Sequence, residues 1–143
     1  MSQCFSENLL AGKVAFVAGG TRGINLGIAK AFACAGARVA VIGRDAERAA
    51  AAQADIEQAS GESALGMSCD VRDYAAVETA IKTTAEAFGK IDILVSGAAG
   101  NFFSPIVGLS ANAFKTVVDI DLIGTFNVFR ASFDYLTKPG ASL

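Results

Sequence analysis

Histidine and tryptophan are absent from this chain of 143 residues, and cysteine and proline are scarce. Without imidazole, neither a Ser-His nor a Cys-His nucleophile can form, and most zinc chemistry is excluded, so we expect no metal site. The three cysteines, Cys4, Cys34 and Cys69, have neither metal-binding nor redox spacing. An odd number of cysteines, with no export signal expected, is typical of reduced thiols in the cytoplasm.

Long apolar runs and a strong net charge are also missing. No run approaches the ~20 apolar residues that cross a bilayer, so we expect no membrane partner. The first residues lack the basic start and apolar core of a signal peptide. A net charge of −2 disfavours nucleic acid as the main partner. The hydrophobic content of 52% is sufficient for one domain with a real core.

Strand-like and helix-like segments alternate along the chain, which predicts an α/β fold with a doubly wound parallel sheet of Rossmann type. The predicted strands are residues 13–18, 38–42, 64–69 and 91–96, and the predicted helices are residues 23–35, 45–59, 73–88 and 110–136. Residues 141–143 resemble the first residues of a fifth strand. Because this ending leaves a sheet edge unpaired, we expect the chain to be the N-terminal part of something longer.

The first predicted strand runs into a glycine-rich turn and then a helix, over residues 14–29. Gly19 and Gly23 have G-x-x-x-G spacing, and no Gly-Lys-Ser/Thr follows, so this is not a P-loop. Backbone N–H groups in such a turn, with the partial positive charge of the helix N-terminus, bind a phosphate. The pattern predicts a nucleotide site, and a plain turn is the alternative.

The end of the second strand indicates which nucleotide binds. An NAD site places a carboxylate there, whereas this chain has Arg44, and Arg22 lies in the glycine turn. Two guanidinium groups suit a 2′-phosphate, which favours NADP over NAD. Asp45 is the argument for NAD, although its position suits a helix cap better. The alternative for Arg44 and Arg48 is a solvated helix start.

Three further places are candidates for a site at the carboxyl edge of the sheet. Asp70, after the third strand, is interpreted either as a contact to adenine or as a turn residue. Phe102 and Phe103 follow Asn101 and are interpreted as the mouth of an apolar pocket or as core residues of their loop. The third candidate is Asp121.

Asp121 falls within an apolar stripe of the last predicted helix, which is formed by Phe114, Val117, Val118, Leu122, Thr125, Phe129 and Phe133. A lone buried carboxylate is costly, so it is expected to be protonated, paired or functional. With a raised pKa it could donate a proton at neutral pH. The alternative is a structural carboxylate bonded to the backbone of a neighbouring loop.

These motifs together resemble the short-chain dehydrogenase/reductase family over essentially the whole chain. The glycine turn is similar to that family's T-G-x-x-x-G-I-G, with Ala18 for Thr and Asn25 for the last Gly, and ILV-SGAAG is similar to its I-L-V-N-N-A-G, with Ser96 and Gly97 for the asparagines. The resemblance implies a single dinucleotide-binding domain over residues 1–143. It implies that the cofactor contacts are Gly19, Gly20, Thr21, Arg22, Gly23, Ile24, Arg44, Arg48, Asp70, Val71 and Ala98.

Three segments, AAGNF, LSANAFKTVVDID and GTFNVFR, resemble the 2,4-dienoyl-CoA reductases of that family, particularly the peroxisomal type. In that group, too, an Asp stands at the position of Asp121 in place of the usual Asn. The resemblance implies NADPH-dependent reduction of a 2,4-dienoyl-CoA to a 3-enoyl-CoA, in unsaturated fatty acid oxidation. Arg44 and Arg72 would then reach the CoA phosphates, and Asn101, Phe102 and Phe103 would contact the acyl chain. Asp121 would be catalytic.

Two alternatives remain open at this point. One is a 3-oxoacyl-type ketoreductase of the same family. The other is a nucleotide-binding module without catalysis, because the family's Tyr-x-x-x-Lys falls beyond residue 143. In either case the family resemblance implies a homo-oligomer, a dimer or a tetramer.

Overall fold

The computed structural model describes residues 8–143 and contains four strands and five α-helices there. These are β1 (Val14–Ala18), α1 (Gly23–Cys34), β2 (Arg38–Gly43), α2 (Ala46–Ser60), β3 (Ala64–Ser68), α3 (Tyr74–Phe88), β4 (Ile93–Ser96), α4 (Ala111–Val118) and α5 (Gly124–Ser132). Cys4 and most of the segment considered for a signal peptide lie outside the described residues.

The strands form one parallel sheet in the order β3-β2-β1-β4, which confirms the predicted doubly wound α/β fold. The chain order changes direction at β1, which lies between β2 and β4. Ile93, the first residue of β4, forms an isolated parallel bridge to Ser142, and Ile91, just before β4, forms one to Leu136. The bridge at Ser142 lies within the residues interpreted as the beginning of a fifth strand.

Successive strand side chains point to opposite sides of the sheet, and helices pack on both of these faces. Phe16 and Ile42 lie in a core cluster with side chains of α3 and α5. Val17 and Val41 lie in a second cluster with alanines and Ile56 of α1 and α2. This arrangement explains why the strands are short continuous apolar runs without alternation.

Side-chain caps fix where three of the helices begin. The carboxylate of Asp45 accepts a hydrogen bond from the N–H of Arg48 at 3.1 Å, which confirms its predicted role as a helix cap. Asp73 and Ser110 cap α3 and α4 in the same way. Each of these carboxylates and hydroxyls satisfies a backbone donor that the helix itself leaves free.

The predicted long helix over residues 110–136 is present as an unbroken helical run from Ala111 to Tyr135, but it is not α-helical throughout. After α4 the backbone forms a π-helical turn at Asp119–Ile123 before α5 begins, and a 3-10 turn follows at Phe133–Tyr135. The wider π turn changes the angular step for the residues after it, but the stripe is open to solvent before it as well, since Phe114 in α4 is 59% exposed. No member of that stripe is buried among the described residues, and Asp121 is exposed. The inference of a buried Asp121 is therefore wrong.

Candidate active site

The glycine turn after β1 lies directly against the end of β4. Gly19 has a φ of 75°, and a Cβ built on it would lie 2.8 Å from the backbone Cα of Ala98. A side chain here would be strained by its backbone conformation and would collide with a second segment of backbone. A Cβ on Gly20 would lie 2.7 Å from a side-chain carbon of Val41. Both glycines are therefore required by close approach.

A cavity of about 540 Å³ opens at this turn, at the carboxyl ends of the strands. Its size is within the usual range for small-molecule sites, and its place beside the central strand is where doubly wound sheets bind ligands. The cavity brings together eight of the cofactor contacts that the resemblance implied: Gly19, Thr21, Arg22, Arg44, Arg48, Asp70, Val71 and Ala98.

The other predicted site residues do not line this cavity. Gly20 is buried beneath the turn against Val41, while Gly23 and Ile24 lie at the start of α1, where the Ile24 side chain is 84% exposed. The predicted substrate contacts Arg72, Asn101, Phe102 and Phe103 and the predicted catalytic residue Asp121 also lie outside its wall. The cavity therefore matches the cofactor prediction more closely than the substrate prediction.

Arg22, Arg44 and Arg48 all line the cavity, so three positively charged residues surround it. Asp45 also lines the cavity, but its carboxylate holds the N-terminus of α2 and forms an ion pair with Nε of Arg48 at 3.4 Å. The residues therefore fit a ligand that carries phosphate groups, because arginine side chains and backbone N–H groups are the donors that phosphate prefers.

Asp70 lies on the wall of the cavity and is held by Arg72. The Nε of Arg72 donates to both carboxylate oxygens, at 3.0 and 3.1 Å. These hydrogen bonds lower the pKa of Asp70, and the positive charge of Arg44 adds to the effect. Asp70 is therefore an ionised acceptor at neutral pH, as a contact to an amino group of a base requires.

Cys69 is a buried member of the same wall. Burial raises the pKa of its thiol to about 11, and the charges of Asp70 and Asp73 act in the same direction. The thiol therefore stays protonated at neutral pH and is not a nucleophile there.

The π turn places Asp121 next to the loop that follows β4. Its Oδ1 accepts a hydrogen bond from the backbone N–H of Gly100 at 2.9 Å. Its backbone carbonyl accepts from the hydroxyl of Thr125 at 2.6 Å, and Thr125 in turn accepts from Ser96 at 3.2 Å. Asp121 thus has the loop contact that the structural interpretation expected, in a solvent-accessible position beside the cavity residue Ile120.

The loop between β4 and α4 presents apolar side chains to solvent. Phe102 is 53% exposed and Phe103 is 99% exposed, so neither is a core residue of the loop. Phe102 and Phe103 begin two residues after Gly100, whose N–H is bonded to Asp121. Apolar surface therefore lies close in sequence to Gly100, where the carboxylate of Asp121 is bonded to this loop.

Seven residues line the cavity although they were not among the predicted contacts: Ile42, Gly43, Asp45, Cys69, Gly97, Ala99 and Ile120. Most of them come directly at or after a strand end, so the rule that ligands bind at the carboxyl ends could have found them. Ile120 could not be found in this way, because the π turn determines which residue of that segment faces the cavity.

A parallel sheet with a glycine turn after its first strand and a cavity at this edge defines a dinucleotide-binding α/β protein. The chain belongs to the short-chain dehydrogenase family, whose pattern matches residues 13–142. The predicted family is thereby confirmed.

Two relatives are peroxisomal reductases of the same name. The peroxisomal 2,4-dienoyl-CoA reductase of Rattus norvegicus is 45% identical over 130 residues, which are 91% of this chain and 44% of that protein. The enzyme of that name from Saccharomyces cerevisiae is 43% identical over 139 residues, 95% of this chain and 48% of that protein. The chain therefore spans about half the length of the curated relatives it matches.

A solved structure, the alcohol dehydrogenase of the archaeon Thermococcus sibiricus complexed with 5-hydroxy-NADP, matches with a TM-score of 0.81 and 29% identity. The match covers 86% of this chain and 52% of that one. Separately, none of the helices formed by residues 8–143 combines the length and the apolar character needed to cross a membrane.

Proposed function

We propose that this chain is the cofactor-binding part of an NADPH-dependent short-chain reductase that converts a 2,4-dienoyl-CoA to a 3-enoyl-CoA in unsaturated fatty acid oxidation. The observation that carries the proposal is the single cavity shared by the Gly19 turn and the guanidinium groups of Arg22, Arg44 and Arg48. The names of the two reductases to which the chain is similar support the substrate class. In this proposal, residues 1–143 are one dinucleotide-binding domain and the N-terminal part of a longer enzyme.

The cofactor proposed is NADPH, which supplies a hydride when bound. Arg22 and Arg44 would hold its 2′-phosphate, and Arg48 would add positive charge nearby. Asp45 is less suited to accept from a ribose hydroxyl, because it already accepts from Arg48 and caps α2. Asp70 and Val71 would contact the adenine, and the turn from Gly19 to Ile24 would approach the phosphates together with Ala98.

The substrate contacts proposed lie outside the cavity on the loop after β4 and at Arg72. Phe102 and Phe103 expose apolar surface for an acyl chain beside Asn101. Arg72 keeps a partly exposed side chain while it is bonded to Asp70, so its remaining N–H groups are available for a CoA phosphate.

Asp121 is the proposed catalytic residue, and its role is to supply or position a proton. The hydrogen bond from Gly100 fixes the orientation of its carboxyl group beside the exposed Phe102 and Phe103 loop. The residue is exposed, so this end of the loop is open to solvent and to a bound substrate.

A direct assay distinguishes the candidates. The whole protein is mixed with NADPH and 2,4-hexadienoyl-CoA, and the dienoyl absorbance is followed. We expect it to disappear with NADPH consumption. Turnover only with 3-oxoacyl thioesters would instead identify the ketoreductase, and a natural product whose intact mass ends at residue 143 would identify a binding module.

Two further features complete the proposal. Apolar side chains exposed on α5 support a homo-oligomer, a dimer or a tetramer.

We propose the cytoplasm as the compartment, because Cys34 and Cys69 are both free thiols. The relatives' names place those proteins in the peroxisome, so microscopy of the tagged protein is the deciding measurement.

A further inference from the structure

We propose that Asn25 is a positioning residue of the nucleotide cavity, and that it acts as a matched pair with Gly97. Asn25 lies in the first turn of α1, directly after the glycine turn. Its Nδ2 donates a hydrogen bond to the backbone carbonyl of Gly97, at the end of β4, at 2.7 Å. Because a carbonyl oxygen only accepts, this contact requires the amide nitrogen and fixes the orientation of the carboxamide.

The carboxamide of Asn25 occupies the space that a side chain on residue 97 would need. A Cβ built on Gly97 would lie 2.5 Å from Nδ2 of Asn25 and 2.6 Å from both Cγ and Oδ1. A real Cβ does not approach unbonded atoms this closely, so any side chain at residue 97 would have to displace the carboxamide of Asn25. They are also two places where the chain departs from its family's pattern in opposite senses, with Asn for Gly at 25 and Gly for Asn at 97.

The pair formed by Asn25 and Gly97 connects the start of α1 to the end of β4. Gly97 lines the cavity, and its own N–H donates to the carbonyl of Ala18 in β1 at 3.0 Å. The next residue, Ala98, is the one whose backbone lies against Gly19. By holding the end of β4 against α1, Asn25 keeps Gly97 and Ala98 at the distance from the glycine turn that the cavity needs.

The affinity for the cofactor measures the positioning role of Asn25. The inference rests on the proposed function only because it takes NADP(H) as the ligand. NADPH and NADH dissociation constants are measured by fluorescence for the whole protein, for Asn25→Ala and for the exposed control Asn112→Ala. Thermal unfolding without ligand is recorded in parallel. We expect Asn25→Ala to weaken NADPH binding about fivefold to tenfold, the effect of one lost hydrogen bond, at temperatures where the variant is fully folded. The control should stay within about twofold.

An exchange of the two side chains separates positioning from general stability. We expect Gly97→Ala alone to weaken NADPH binding at least as much as Asn25→Ala, because its Cβ displaces the Asn25 carboxamide from its hydrogen bond to the Gly97 carbonyl. The double variant Asn25→Gly with Gly97→Asn should recover NADPH affinity to within about threefold of the original protein, since the filled space is restored from the other side.

The outcomes are distinguishable. If the original protein binds neither NADPH nor NADH, the proposed function fails and the positioning role fails with it. If the original protein binds NADPH and Asn25→Ala binds it equally well, the inference alone is overturned, even where the unfolding temperature falls. A double variant that binds as weakly as Asn25→Gly alone would overturn the matched pair.

Discussion

The carboxyl group of Asp121 is held in one orientation by Gly100, and this allows a substitution that changes chemistry without changing shape. Asn at this position keeps an oxygen for the Gly100 N–H but cannot exchange a proton. We expect Asp121→Asn to reduce turnover of 2,4-hexadienoyl-CoA about 100-fold, the scale of general acid–base catalysis, with NADPH affinity unchanged. The exposed Asp134→Asn serves as the control. Full turnover with an unaltered pH profile would make Asp121 a structural residue only.

Arg44 determines the preference between cofactors if the cavity binds a 2′-phosphate. Replacing it by Ala removes a charge-assisted contact, so NADPH affinity should fall about tenfold or more while NADH affinity stays the same. Lys82→Ala removes a positive charge from the exposed face of α3 and should affect neither cofactor. Equal losses for both cofactors would point to a general phosphate contact and against NADP selectivity.

The pair formed by Asp70 and Arg72 makes stability depend on pH. Arg72 lowers the pKa of Asp70 in the folded protein below its pKa in the unfolded chain, which is about 3.9. The pair therefore stabilises the folded state at pH values above about 3.9, and this stabilisation is lost as the pH falls through the lowered pKa. The free energy of unfolding of Arg72→Gln should therefore lie below that of the original protein at neutral pH. The difference should disappear as the pH falls through the lowered pKa of Asp70. Urea unfolding at a series of pH values measures it, and a gap of constant size would contradict the assignment.

Sequence patterns located the residues of the cavity better than the environment of Asp121. Arg22, Arg44 and Asp70 were found because they follow strand ends or the glycine turn, and topology alone brings such places together. The burial of Asp121 was inferred from helical spacing, which predicts an apolar face but not whether another element covers that face. In the described residues the stripe is open to solvent on both sides of the π turn, at Phe114 before it and at Phe133 after it.

At the scale of elements, the contact between β3 and α2 depends on a residue without a side chain. A Cβ on Gly66 would lie 2.0 Å from the backbone oxygen of Ala49, so Gly66→Ala must push the helix away from the strand. We expect a loss of about 1–3 kcal/mol in the free energy of unfolding, measured by urea denaturation. Gly27→Ala is the matched control: it lies within α1 with nothing near its Cβ, so it should gain about 0.5–1 kcal/mol. Equal effects at both sites would contradict the packing of α2 on β3.

Element boundaries were predictable where a local signal exists and less so where tertiary contacts decide. Asp45 and Gly61 define the ends of α2 through a side-chain cap and a left-handed residue, and both signals can be read directly from the sequence. The π turn at Asp119–Ile123 has no such marker. It is accompanied by contacts to Gly100 and Ser96 that come from a distant part of the chain.

At the scale of the whole molecule, the parallel sheet follows from strand–helix alternation and two covered faces. The position of the cavity follows from the same topology, since β1 lies where the chain order changes direction. What the alternation could not provide is the fit between distant segments, such as Gly19 on Ala98 or Asn25 on Gly97, because a pattern of strands and helices does not say which residues come into close contact.

Among the described residues, an apolar groove on α5 and the 3-10 turn that follows it is not covered by the rest of the molecule. Phe126, Phe129 and Phe133 are 60%, 36% and 56% exposed and line a common groove, and contiguous apolar surface of this kind marks interaction sites. If a second copy covers this groove, a charge placed there must be desolvated on assembly. We therefore expect Phe126→Asp to sediment as a smaller species than the original protein, whereas Ile106→Asp, equally apolar and exposed on a loop, should not. An original protein that sediments as a monomer at all concentrations would contradict the homo-oligomer.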